Sequence, residues 1–75
     1  MSYRNFKAEV DYEGGFDICR CDFTGREARC YPVDIKYDGP GGQRIEGYVF
    51  NESVCKELES GSRDIEDLLV EMRDG

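Results

Sequence analysis

Histidine and tryptophan are absent from this chain of 75 residues, proline occurs twice, and nothing comes near the roughly eighteen consecutive apolar residues that cross a bilayer. Without histidine no Cys–His pair can drive nucleophilic catalysis, and the mixed Cys/His ligand sets of zinc knuckles cannot form. The start Met1-Ser2-Tyr3-Arg4-Asn5-Phe6-Lys7 lacks the apolar run of a signal peptide, so the expectation is a cytoplasmic chain with no membrane segment. Positive charge is also scarce: ten Lys and Arg stand against seventeen Asp and Glu, a formal charge of −7. Binding to nucleic acid depends on cations that displace its counterions, so direct contact with DNA, RNA or an anionic lipid surface is disfavoured. The length excludes a second core, leaving one domain over residues 1–75. Five Tyr and four Phe suffice to nucleate that core, which argues against wholesale disorder.

The acidity is uneven. Residues 1–50 hold seven basic and nine acidic side chains, net −2, whereas residues 51–75 hold three and eight, net −5.

Phe6, Ala8, Val10 and Tyr12 alternate with Lys7, Glu9 and Asp11, the period of a half-buried strand. Gly14-Gly15 can close a two-residue turn. That turn would pair Val10 with Cys19, Ala8 with Cys21 and Phe6 with Phe23, so a first hairpin with a second strand over 16–23 is expected. Tyr31, Val33, Ile35 and Tyr37 form a third alternating strand, in which Pro32 argues for an edge position or a bulge. The turn-rich stretch 38–44 should be the longest and most mobile loop. Beyond it, Ile45, Gly47 and Val49 can face Tyr37, Ile35 and Val33, leaving Glu46, Tyr48 and Phe50 on the opposite side.

From Asn51 the period becomes helical. Asn51 is a candidate N-cap, and Val54, Cys55 and Leu58 follow at helical spacing until Gly61. Ile65, Leu68, Leu69 and Met72 fall at i, i+3, i+4 and i+7 on a second helix starting near Ser62 or Asp64. The expected fold is α+β: a four-stranded antiparallel sheet of two hairpins, followed by two C-terminal helices packed on one face.

Four cysteines, Cys19, Cys21, Cys30 and Cys55, invite a zinc reading, but Cys19-x-Cys21 lies within a strand and lacks the usual tight two-cysteine turn. A Cys19–Cys30 disulfide is conceivable across the second turn, though a cytosolic setting keeps thiols reduced. The simplest reading is four small buried hydrophobes, with no metal and no cofactor. The glycine-rich stretch 39–44 lacks the Gly-Lys-Ser/Thr ending of a phosphate loop and joins two strands. Glu66-Asp67 on an exposed helix face has no cleft to shift its acidity, so no enzyme activity is expected.

On the second helix Asp64, Asp67, Glu71 and Asp74 form an acidic stripe, with about 4.5 to 6 Å between neighbours along the axis. Glu52, Glu57 and Glu59 extend it. A second candidate surface is the open sheet face, where the expected register places Ile18, Tyr48 and Phe50 as a possible homodimer contact. In size, in sheet-plus-helix makeup and in this acidic flank the chain resembles the small phage-encoded inhibitors of host defence, the anti-CRISPR and anti-restriction proteins. The resemblance implies stoichiometric inhibition: the acidic residues occupy a basic nucleic-acid-binding surface of a protein partner, without turnover. The alternatives are a homodimeric structural or regulatory domain and a zinc-binding domain.

Overall fold

A computed structural model describes residues 3–74. One long strand organises it. β3 (Glu27–Gly39) runs for 13 residues, and all three other strands pair with it, each antiparallel. β4 (Gly42–Asn51) takes one edge of β3 over ten consecutive pairs, from Gly39↔Gly42 to Cys30↔Asn51. The other edge is shared end to end by β1 (Arg4–Val10), opposite Val33 to Asp38, and β2 (Asp17–Arg20), opposite Glu27 to Cys30. The four strands and the two helices after them give the expected α+β class.

The pairing inside the sheet departs from the expected first hairpin, because β1 does not meet β2. Asp11 Oδ1 accepts the N–H groups of Glu13 and Gly14 at 3.1 and 3.2 Å, so the chain makes a local turn and then continues along β3 without doubling back. Ala8 and Val10 thereby face Ile35 and Val33 instead of two cysteines, and Phe6 stacks on Tyr37 at 5.2 Å. Larger apolar partners bury more area, which favours this arrangement. Pro32 is neither at an edge nor in a bulge. It stands in the central strand where β1 has just ended and β2 has not begun; the Asp11 N–H donates to Pro32 O at 3.0 Å, and the bond a proline cannot return falls in that gap. The ladder bulge lies in β1, between Arg4 and Lys7, where Asn5 adopts a left-handed φ of 60° and its Nδ2 donates to Asp38 Oδ2 at 2.7 Å.

The second correction is one of register. The expected mobile loop over 38–44 is a tight hairpin with only Pro40 and Gly41 between paired residues. This closure sets Tyr37 against Arg44, Ile35 against Glu46 and Val33 against Tyr48, one residue away from the expected pairing. A one-residue slip reverses every side chain. Glu46, Tyr48 and Phe50 therefore face the helices, and Ile45 is exposed. The register that forms buries the Phe50 ring fully and half-buries that of Tyr48 on the helix side.

α1 (Glu52–Ser60) begins at Asn51, whose Oδ1 accepts the Val54 N–H at 2.8 Å, and ends at Gly61 in the left-handed region, φ 81°. α2 (Ile65–Asp74) begins at Asp64, whose Oδ1 accepts the Glu66 N–H at 3.0 Å. Both starts agree with the sequence. Val54, Cys55, Leu58 and Leu68 close the core over Val33, Ile35, Tyr37 and Phe50, with Ile65, Leu69 and Met72 packed at its margin. No helix among the described residues is long and apolar enough to cross a membrane.

Candidate functional site

The acidic residues divide by what they touch. Arg63, in the link between the helices, donates through Nε to Glu57 Oε1 at 2.7 Å, lies 3.8 Å from Glu71 Oε2, and stacks over the Phe23 ring at 4.7 Å. Hydrogen bonding to Glu57 raises the Arg63 pKa further. Glu59 accepts the Tyr12 hydroxyl at 2.7 Å, and Glu52 stands 3.8 Å from Lys56 one helical turn on. Asp64 caps α2 and remains exposed. Asp67 and Asp74 are exposed with no ion pair among the described residues. The stripe Asp64, Asp67, Glu71 and Asp74 is thus carried by one helix, with Glu71 partly countered by Arg63. The extension is looser: Glu57 and Glu59 turn to internal partners, and Glu52 keeps a weak exposed pair.

The proposed dimer face does not form. Phe50 is fully buried and Tyr48 half-buried on the helix-covered side, while Ile18 is 60% exposed on β2. The register shift is the cause.

The cysteines are free thiols, with Cys21, Cys30 and Cys55 buried. The Cys30 thiol donates to Cys19 O at 3.5 Å and that of Cys55 to Phe50 O at 3.4 Å. Burial pushes Cys55 up to about 11 and, with Cys19 beside it, Cys30 up to about 12. Burial also works to raise Cys21, but hydrogen bonds from Thr24, Asn51 and Phe23 outweigh it and hold that thiol below its ordinary value. Among the described residues no three His, Cys, Asp or Glu side chains are placed to hold a metal ion.

The most built-up polar group lies on the side of β4 opposite to the one expected. Glu46 lies beneath α2 with both carboxylate oxygens engaged: the Tyr37 hydroxyl donates to Oε2 at 2.7 Å and the Tyr48 hydroxyl to Oε1. The Tyr48 and Tyr37 bonds hold the Glu46 pKa below its usual value, Arg44 and Arg73 assisting against a burial effect of opposite sign. In return the Tyr37 phenol is raised first by its bond to Glu46, and that of Tyr48 first by burial and then by the same carboxylate. Glu46 is therefore a fixed anion with no proton to exchange near neutrality. Beside it a groove of about 510 Å³ opens between β4 and α2. Its apolar lining includes Phe6, Tyr37, Tyr48, Leu69, Val70 and Met72, and its charged groups, Arg44, Arg73, Glu46 and Glu66, balance to zero. Pro40-Gly41 read as a two-residue turn would have revealed this set, because that turn alone fixes which side of β4 faces inward.

No protein-family model matches the chain, nor does any curated protein or solved structure.

Proposed function

We propose that this protein is a small acidic binding module that occupies a cationic, nucleic-acid-handling surface of a partner protein and inhibits it by occupation, without turnover, in the manner of anti-CRISPR and anti-restriction inhibitors. One observation carries the reading: the helical layer holds eight acidic and three basic side chains between residues 52 and 74, net −5 of the total −7, on elements that pack on the same side of the sheet. Charge gathered on one side steers a cationic partner toward that side and accelerates encounter. Arg63 favours the reading in a second way, since its bond to Glu57 and its looser approach to Glu71 link α1 to α2. The docking set is Asp64, Asp67 and Asp74, with Glu71, Glu52 and Glu66 around them. Four free thiols suit the reducing cytoplasm, where such a partner would be met.

The test is capture of the partner from host extract, followed by affinity measurement over a salt series. Asp64→Asn, Asp67→Asn and Asp74→Asn combined should weaken binding about tenfold or more and flatten the salt dependence. Asparagine keeps the cap on α2, so circular dichroism should not change. Unchanged affinity in the folded triple variant would sink the proposal.

A further inference from the structure

Among the described residues the sheet has two outer edges, and they are not alike. The β1/β2 edge carries the devices that keep a strand from pairing with another chain: β2 is only four residues long, β1 is bulged between Arg4 and Lys7, and Lys7 lies within the bulged strand. β4 is neither short nor bulged, and of such devices it carries only the charged side chains Arg44 and Glu46, Glu46 being turned inward onto Tyr37 and Tyr48. Its ten pairs with β3 run without a register shift, and the strand contains neither proline nor lysine. In its alternation the backbone groups of Gln43, Ile45, Gly47 and Val49 point away from β3. Val49 shows what that edge accepts: its C=O takes the Asp22 N–H at 2.9 Å, and its N–H donates to Asp22 Oδ2 at 2.8 Å. Asp22 thus stands where one residue of a fifth strand would stand. From Gln43 to Gly47 no segment among the described residues pairs with this edge.

Directly inside the same stretch lies the groove beneath α2, floored by Tyr37 and Tyr48 and walled by Leu69 and Met72. A strand laid antiparallel along β4 would send alternate side chains into it. The groove is charge-balanced and aromatic, so it fits an apolar or aromatic side chain; the field around it is set by a chain of −7 with acidic α2 alongside, so it fits basic residues at the flanks. We infer that β4 is a docking edge for an extended segment of a partner, apolar at its centre and basic at its ends, added as a fifth strand. For the partner's charge this rests on the function proposed above, and it names the part of the partner that is held.

The probe is a synthetic peptide of valine and threonine around one central phenylalanine, with lysines at both ends. Binding with slowed hydrogen exchange at the Ile45 and Gly47 amides is the expected result. The same peptide with alternate backbone amides N-methylated, and the Ile45→Pro variant with the original peptide, should each bind about tenfold more weakly or worse. Proline at that position removes an N–H that β3 does not use, and the N-methylated arm asks the same question with wild-type protein. Undiminished binding of the N-methylated peptide, or unaltered exchange at both amides, overturns strand addition while leaving the anionic reading standing. A peptide ending in glutamates that binds as well as the basic one, with the amides protected, overturns the basic partner and the anionic reading together. A dimer whose β4 amides are already protected without peptide makes a second copy the occupant and overturns the inference.

Discussion

Both oxygens of Glu46 end on phenol hydroxyls, and this has a consequence at each end of the pH scale. A carboxyl depressed in the fold contributes stability that is complete above its ordinary value of 4.5 and is lost as pH falls through the lower folded value. The raised phenols of Tyr37 and Tyr48 do the reverse: their contribution is complete below the ordinary 10.0 and is lost as pH rises beyond it. Glu46→Gln removes the source of the first effect and much of the second. The variant should be less stable near neutral pH by about 1 kcal/mol, because two hydrogen bonds lose their charged acceptor, and its urea midpoint should vary less with pH on both limbs. A variant with the wild-type pH profile would show that the two tyrosines do not hold this carboxylate in solution. Arg63 works on the same scale but across elements, spending one cation on two carboxylates and an aromatic ring.

At the scale of elements, β4 decides the character of the molecule, and its register is open to a direct test. Phe50 has no exposed surface, whereas Ile45 is 59% exposed. Phe50→Ala should therefore cost about 3–5 kcal/mol, while Ile45→Ala should cost no more than about 0.5 kcal/mol. Similar costs for the two, measured by urea unfolding, would contradict the register. This is also where the limit of reading the sequence lay. Alternation in Phe6, Ala8 and Val10, the Asn51 cap and the stripe Ile65, Leu68, Leu69 and Met72 are local patterns, set by residues within a turn or two of one another, and each was legible. Which strand β1 chooses is not local: Gly14-Gly15 could have closed a hairpin, but Val33, Ile35 and Tyr37 offered larger apolar partners elsewhere in the chain. The β4 register turned on one residue of loop length, and with it went Glu46, Tyr48 and Phe50, hence the groove and the supposed dimer face. The acidic helix could be read from spacing alone, but the engagement of Glu57 by Arg63 and of Glu59 by Tyr12 depended on residues that the fold brings from other elements.

For the whole molecule, seven net negative charges sit on a body with extents of 36 × 28 × 21 Å, and five of them lie in the helical layer. Repulsion within that layer opposes folding, and Arg63 relieves it only between Glu57 and Glu71. Sodium chloride screens such repulsion over about 8 Å near 0.15 M, and screens a cationic partner over the same distance. The two effects of salt therefore have opposite signs. Between low and physiological ionic strength the isolated protein should gain on the order of 1 kcal/mol of stability, while its affinity for a basic partner or peptide should fall steadily. Chloride is the suitable anion, because sulfate would also strengthen apolar burial and blur the comparison. The measurement is a pair of series in the same buffers, urea midpoints for the free chain and dissociation constants for the complex. If stability fell with added chloride, attractive pairs such as Arg63 with Glu57 would outweigh the repulsion of the unpaired carboxylates, and self-repulsion in the helical layer would not be what limits the stability of the fold. A rise in stability with an affinity indifferent to salt would place the docking energy in the apolar groove and the β4 backbone, with the carboxylates serving only to keep the chain in solution.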